Sequence, residues 1–114
     1  MDQPPYTLIV SMDVAPEIED LFNEVYDGEH IPALLKVPGV RSATRMKAVP
    51  AAFAMAGALQ ELPAASPAYV AVYGIDDPAV LASPEWAAAV EQGRWPTQVR
   101  PHTSNRRHAL YKAR

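Results

Sequence analysis

Residues 22–40, Phe-Asn-Glu-Val-Tyr-Asp-Gly-Glu-His-Ile-Pro-Ala-Leu-Leu-Lys-Val-Pro-Gly-Val, constrain this chain more than any other stretch. They open as the second half of an amphipathic helix, because Ile18, Leu21, Phe22 and Val25 fall at i, i+3, i+4 and i+7 on one apolar stripe. Two breakers follow. Gly28 accepts the left-handed backbone that ends or kinks a helix, and Pro32 lacks the N–H that the helical ladder needs. The helix is therefore expected to break near Asp27-Gly28, pass through a short apolar turn, and reach a strand after Pro38-Gly39. His30 is held between the breakers among apolar neighbours. A titratable ring in that setting is either a structural hydrogen-bonder or the centre of a pocket. Tyr26 shares its face only if the helical path runs on through Gly28.

Around this stretch the chain alternates strand and helix. Residues 6–13 read as a strand with Tyr6, Leu8, Val10 and Met12 on one apolar face. Pro16 suits the first turn of the helix, and Glu17, Glu19 and Asp20 supply the negative charge its N-terminus favours. A second strand is expected from about Val40 to Val49, with Arg41, Ala43, Arg45 and Lys47 on a basic face read as solvent-exposed or at a sheet edge. Residues 49–67 are rich in Ala and Pro yet carry Phe53, Met55, Leu59 and Leu62. They are longer than the about two to five residues of an ordinary hairpin connection, and two readings stand: an ordered flap or a mobile loop. Tyr69–Ile75 is apolar on both sides, as a strand covered on both faces would be. Asp77-Pro78 and Ser83-Pro84 each offer an N-cap followed by a first-turn proline, and Gly93 is placed to end the helix from Pro84 to about Gln92. Residues 94–105 read as a loop, and residues 106–112 as the last strand.

The order is β-α-β-β-α-β, an α+β ferredoxin-like arrangement in a single domain over residues 1–114. Its helices cover only one face of a four-stranded antiparallel sheet, and a second copy of the chain is the simplest cover for the other. The Glu-His-Ile-Pro segment, the Leu-Leu pair and Val-Pro-Gly-Val resemble the dimeric α+β-barrel superfamily, and within it the EthD-like proteins. The Tyr-Val-Ala-Val-Tyr strand, the Trp-bearing helix and the closing Arg-rich strand extend the likeness over most of the chain, residues 49–67 excepted. The resemblance implies a homodimeric α/β barrel. It also implies that His30 stands at the mouth of a cavity between helices and sheet.

His30 ordinarily titrates near neutrality, so it is the candidate acid or base; its bland alternative is a ring that caps the broken helix or bonds a carbonyl. Tyr73 is the candidate to orient a substrate or stabilise an oxyanion. Tyr26, Tyr69, Trp86 and Trp95 are candidate pocket walls, since aromatics bury area while Tyr and Trp keep a polar handle; core packing is the competing reading for each. Arg100 would hold a carboxylate bidentately or form a surface ion pair. No metal is expected, because His30, His102 and His108 lack ligand spacing, and no organic cofactor is expected, because no Gly-rich phosphate loop occurs. A nucleophile elbow is also absent.

Thirteen acids against ten bases argue against a nucleic-acid partner. The absence of cysteine removes disulfides and thiolate chemistry. No apolar run approaches the roughly 18 residues of a membrane helix, and the first residues lack the basic stretch of a signal peptide, so a cytoplasmic protein is expected. The expected function is cofactor-independent chemistry (isomerisation, cyclisation, dehydration or oxygenation) on an apolar aromatic or polyketide-like molecule. The alternatives are a non-catalytic ligand-binding or stress-associated dimer, and a haem-binding dimer.

Overall fold

The computed structural model describes residues 3–114; Met1 and Asp2 of the amino-terminal stretch lie outside it. Four strands, β1 (Tyr6–Val14), β2 (Val40–Lys47), β5 (Tyr69–Ile75) and β6 (Thr103–Lys112), form an antiparallel sheet in the order β2-β5-β1-β6. Two further strands, β3 (Ala51–Met55) and β4 (Ala58–Leu62), pair only with each other. With that hairpin set aside, the chain is an α+β ferredoxin-like fold. The alternation in β1 does what its sequence dictates: Leu8, Val10 and Met12 are buried under the helices, while Thr7, Ile9 and Ser11 point to the opposite face.

The first crossover differs from expectation. No break occurs at Asp27-Gly28. A 3₁₀ turn, Pro16–Ile18, leads into α1 (Glu19–Val25), a π turn over Tyr26–His30, and α2 (Ile31–Leu35) without interruption. Phe22, Tyr26, His30 and Leu34 are all buried, at strict four-residue spacing. Twelve residues of ideal α-helix turn about 1,200°, which would carry Leu34 about 120° away from Phe22. The π turn, closed by the Ile31 N–H on the Tyr26 carbonyl, absorbs that drift and keeps the four on one side. It also precedes Pro32, whose ring and missing N–H would disturb an α ladder there. Gly28 is exposed, has open space beside it and does not take a left-handed φ.

The second crossover starts where the caps indicated. Asp77 accepts a 2.7 Å bond from the Ala79 N–H, and the Ser83 hydroxyl accepts one of 3.1 Å from the Trp86 N–H at the start of α3 (Pro84–Ala89). This helix stops short of Gln92, and Gly93 turns the chain at φ 66°. Residues 94–102, expected as a loop, are instead a π turn (Trp95–Val99) and a 3₁₀ turn (Arg100–His102), and β6 starts earlier than read, at Thr103. Against Met12, β6 carries one extra residue: the register shifts between Ser11 and Asp13, and Asn105 takes φ 55°.

Residues 49–67 are not a loop but hold the β3–β4 hairpin. Its turn, Ala56-Gly57, has φ 55° and 79°, the two-residue geometry whose twist matches the flanking strands. The root of this arm is fixed, because the Ala48 N–H donates to the Ala68 carbonyl at 2.7 Å and the Ala68 N–H to Asp13 at 2.9 Å. Its apolar side chains Phe53, Met55, Leu59 and Leu62 stand exposed.

The basic face of β2 is not simply solvated. Arg41 pairs with Asp76 at the surface and Lys47 with Glu19, but Arg45 turns inward over the Phe22 and Tyr26 rings, 5.1 and 4.2 Å from their centroids. The face of the sheet away from the helices shows Met46 and Val70 in one row and Val72, Ile9 and Ala109 in the next.

Candidate functional site

A cavity of about 390 Å³ lies between the sheet and the two helical crossovers, within the size range of small-molecule sites. Its floor is Leu8, Val10 and Met12 of β1, the apolar face that β1's alternation supplies. Leu34, Leu81 and Val90 close the helical side. The walls are aromatic and the mouth is cationic.

The aromatic wall assembles because the π turn places Tyr26 and His30 side by side. Their rings meet edge to face at 5.0 Å, and Trp95 stacks on His30 at 4.3 Å and 23°. Trp95 is brought there by a clamp at its own neighbour. The Arg94 N–H and Nε donate to Glu29 at 2.9 and 2.6 Å, and an Arg94 terminal nitrogen donates to Glu24 at 2.9 Å. Arg94 holds the Glu29 carboxyl below its ordinary pKa through those bonds. Glycine suits position 93 in this clamp, since φ there is +66° and a Cβ would displace the Glu29 Oε1 that accepts the Arg94 N–H. Opposite, the Tyr73 and Trp86 rings meet edge to face at 5.9 Å. The hydroxyls of Tyr26 and Tyr73 lie 3.4 Å apart, with either as donor. Burial pushes both phenols up from their ordinary pKa, so both keep their protons at any physiological pH and serve as donors or acceptors, not as phenolates.

His30 is only 6% exposed, and its Nδ1 has no hydrogen-bond partner. It makes no side-chain cap to either helical segment, and packing against Tyr26 and Trp95 holds its ring. Burial lowers its pKa to about 4, reinforced by the charges of Arg100 and Arg45 and opposed by Glu91. The ring is therefore neutral at pH 7.

Of the seven candidate residues, Tyr26, His30, Tyr73, Trp86, Trp95 and Arg100 line this one cavity. Tyr69 does not. It packs against Phe22 at 4.9 Å on the far side of α1, with its hydroxyl donated to Glu19, which that bond holds below its ordinary pKa. Arg100 is at the wall but already engaged: it donates to both Glu91 carboxylate oxygens at 3.1 and 2.7 Å and to the Val90 carbonyl at 2.7 Å. Two wall residues were missed, Arg106 and His108 on β6. Their signal was present in the period-2 alternation, since His108 pairs with Val10 and faces the same side as that floor residue. Among the described residues, no three His, Cys, Asp or Glu side chains cluster as a metal site.

No protein-family model matches the sequence, and no curated protein matches it. Among solved structures, the chain is similar to an ethyl tert-butyl ether D (EthD) family protein from Bacillus halodurans C-125. The TM-score is 0.59 at 16% identity, over 96% of this chain and 99% of that one. The fold is that of an EthD family protein. At this identity the likeness is one of architecture, and it covers nearly the whole chain. No helix of the EthD-like fold described here is long and apolar enough to cross a membrane.

Proposed function

We propose that the cavity binds a small, largely apolar aromatic or polyketide-like molecule and moves a proton on it, with His30 as the base and Tyr73, backed by Tyr26, as the hydrogen-bond donor to the oxygen that gains charge. The observation that carries this is the unpartnered, neutral imidazole of His30 set in an aromatic wall that the Tyr26–Tyr73 hydroxyl pair also lines. A base whose conjugate acid has a pKa of about 4 is fully available at pH 7 but weak. It suits an acidic proton, such as a methylene between two carbonyls or an enol O–H. Such isomerisation, cyclisation or dehydration needs an acid, a base and excluded water, and draws on no metal or organic cofactor.

The protein acts as a cytoplasmic homodimer in this proposal. The open sheet face, with Met46, Val70, Val72 and Ile9 across three strands, is the surface a second copy would cover by a two-fold sheet-on-sheet contact. A non-catalytic carrier would use the same cavity without turnover.

The test is a ligand-observed NMR screen of wild type and His30→Ala against small aromatic acids and polyketide-like phenols, each hit followed over hours. Binding with conversion that stops in His30→Ala is the expected result. Binding without conversion, unchanged by the substitution, establishes the carrier and removes His30 from any chemistry.

A further inference from the structure

The cavity has one sign of charge. Arg100, Arg106, His30 and His108 line it, and no Asp or Glu does. These four do not contribute equally. Arg100 is bound at both terminal nitrogens by Glu91 and Val90, and His30 is neutral. Arg106 is exposed and forms no ion pair among the described residues.

Its position is built. One extra residue of β6 opposes Met12, and Asn105 takes the left-handed conformation that such a bulge needs, which Asn tolerates better than most residues. The Asn105 amide donates to Asp13 at 2.9 Å, and the second oxygen of Asp13 accepts from the Ala68 N–H at 2.9 Å. Both bonds hold the Asp13 carboxyl below its ordinary pKa, which keeps it a charged acceptor for that anchor. Bulges re-aim side chains beside functional sites. Here the anchored bulge sets Arg106 on the wall with His108, the next residue of that face, beside it.

From this geometry we infer that the ligand is an anion: an aromatic carboxylate whose ring enters the Tyr26–Trp95–Trp86 throat while its carboxylate is held at the mouth by the Arg106 guanidinium, with His108 as a second donor. A planar guanidinium with free N–H groups matches a carboxylate fork to fork, and a compact ammonium would not. Arg106 thus takes the role that the sequence offered to Arg100. The inference rests on the small-molecule reading of the cavity given above and narrows it to a charge class.

The experiment uses pairs of probes that differ only in charge: naphthalene-2-carboxylate, phenylacetate and anthracene-2-carboxylate, each beside its primary amide. Affinity is read from the fluorescence of Trp86 and Trp95 for wild type, Arg106→Gln, Arg106→Lys and Lys112→Gln. Lys112 is on the same strand but does not line the cavity. At least one acid should bind ten-fold or more tightly than its amide, and raising the salt should weaken the acid alone. Arg106→Gln should abolish the preference by weakening the acid at least ten-fold while leaving the amide unchanged; Arg106→Lys should restore only part of it, and Lys112→Gln should change nothing. Acid and amide bound equally, or an acid preference that survives Arg106→Gln, overturns the inference and leaves the cavity reading standing. Failure of every acid and every amide to bind overturns the cavity reading, and the inference falls with it.

Discussion

At the scale of single residues, His30 is the buried group whose charge changes within the pH range a folding experiment covers. Its folded pKa of about 4 lies below the unfolded value of 6.5, so between those limits the unfolded chain binds more protons and stability rises with pH. The contribution is complete above pH 6.5 and is lost as pH falls toward 4. For a ring this buried it is on the order of 3 kcal/mol. Urea denaturation of wild type at pH 7 and pH 5 should show about 2 kcal/mol of that loss, and His30→Phe, which cannot titrate, should lack it. A wild-type midpoint flat between the two pH values would mean the ring is solvated. The lowered carboxyls of Asp13, Glu19, Glu29 and Glu91 act in the same direction but at lower pH, below their unfolded values near 4. Spacing alone brought His30 to notice. Its missing hydrogen bond was not legible, because which atoms surround Nδ1 depends on Trp95, some 65 residues further on.

At the scale of elements, what could be read depended on whether the signal was local. The caps Asp77 and Ser83 and the alternation of β1 are contained within a few residues, and each behaves as its chemistry dictates; the helix from Pro84 ends at Ala89, before the Gly93 read as its stop. The β3–β4 turn escaped because Ala56, not Asn or Asp, takes the first left-handed position. Residues 94–102 escaped because Trp95 is buried by Tyr26 and His30, partners from the other crossover. The basic face of β2 does lie on an edge strand, one of the two settings expected for it, but the Arg45 guanidinium lies over three aromatic rings. The clamp between crossovers gives the prediction proper to this scale. Gly93→Ala adds a methyl group that meets Glu29 and a Cβ at φ +66°, so about 1–3 kcal/mol of stability should be lost. The Trp95 environment should loosen with it, seen as a red shift of tryptophan emission. An unchanged midpoint and spectrum would show that Glu29 and Arg94 do not hold Trp95 in place.

At the scale of the whole molecule, the four-stranded antiparallel sheet with helices on one face was legible in the order of elements alone, and the solved EthD family protein has the same architecture. What remains is the bare face of the sheet. Val72→Lys places a charge at its centre, on a side chain that touches no helix. If a second copy covers that face, light scattering should show the mass fall by half while far-UV circular dichroism keeps its shape. A variant that stays dimeric would move the interface elsewhere, with the exposed apolar hairpin the next place to look. The helix between β1 and β2 carries a different kind of consequence, one about insertions and deletions. Its π turn is a single supernumerary residue stored in the chain, and Gly28, exposed with open space beside it, is the one least needed by any neighbour. Removing Gly28 should leave Ile31–Leu35 on its native side, since eleven residues of α-helix bring Leu34 back to within about 20° of Phe22, and the domain should fold with stability lowered by the strain that Pro32 puts on the α ladder. The ring of His30 would no longer sit as it does against Tyr26 and Trp95, and ligand binding should fail. One codon then separates a working pocket from a sound but empty scaffold, and a lineage could cross between them without passing through an unfolded protein.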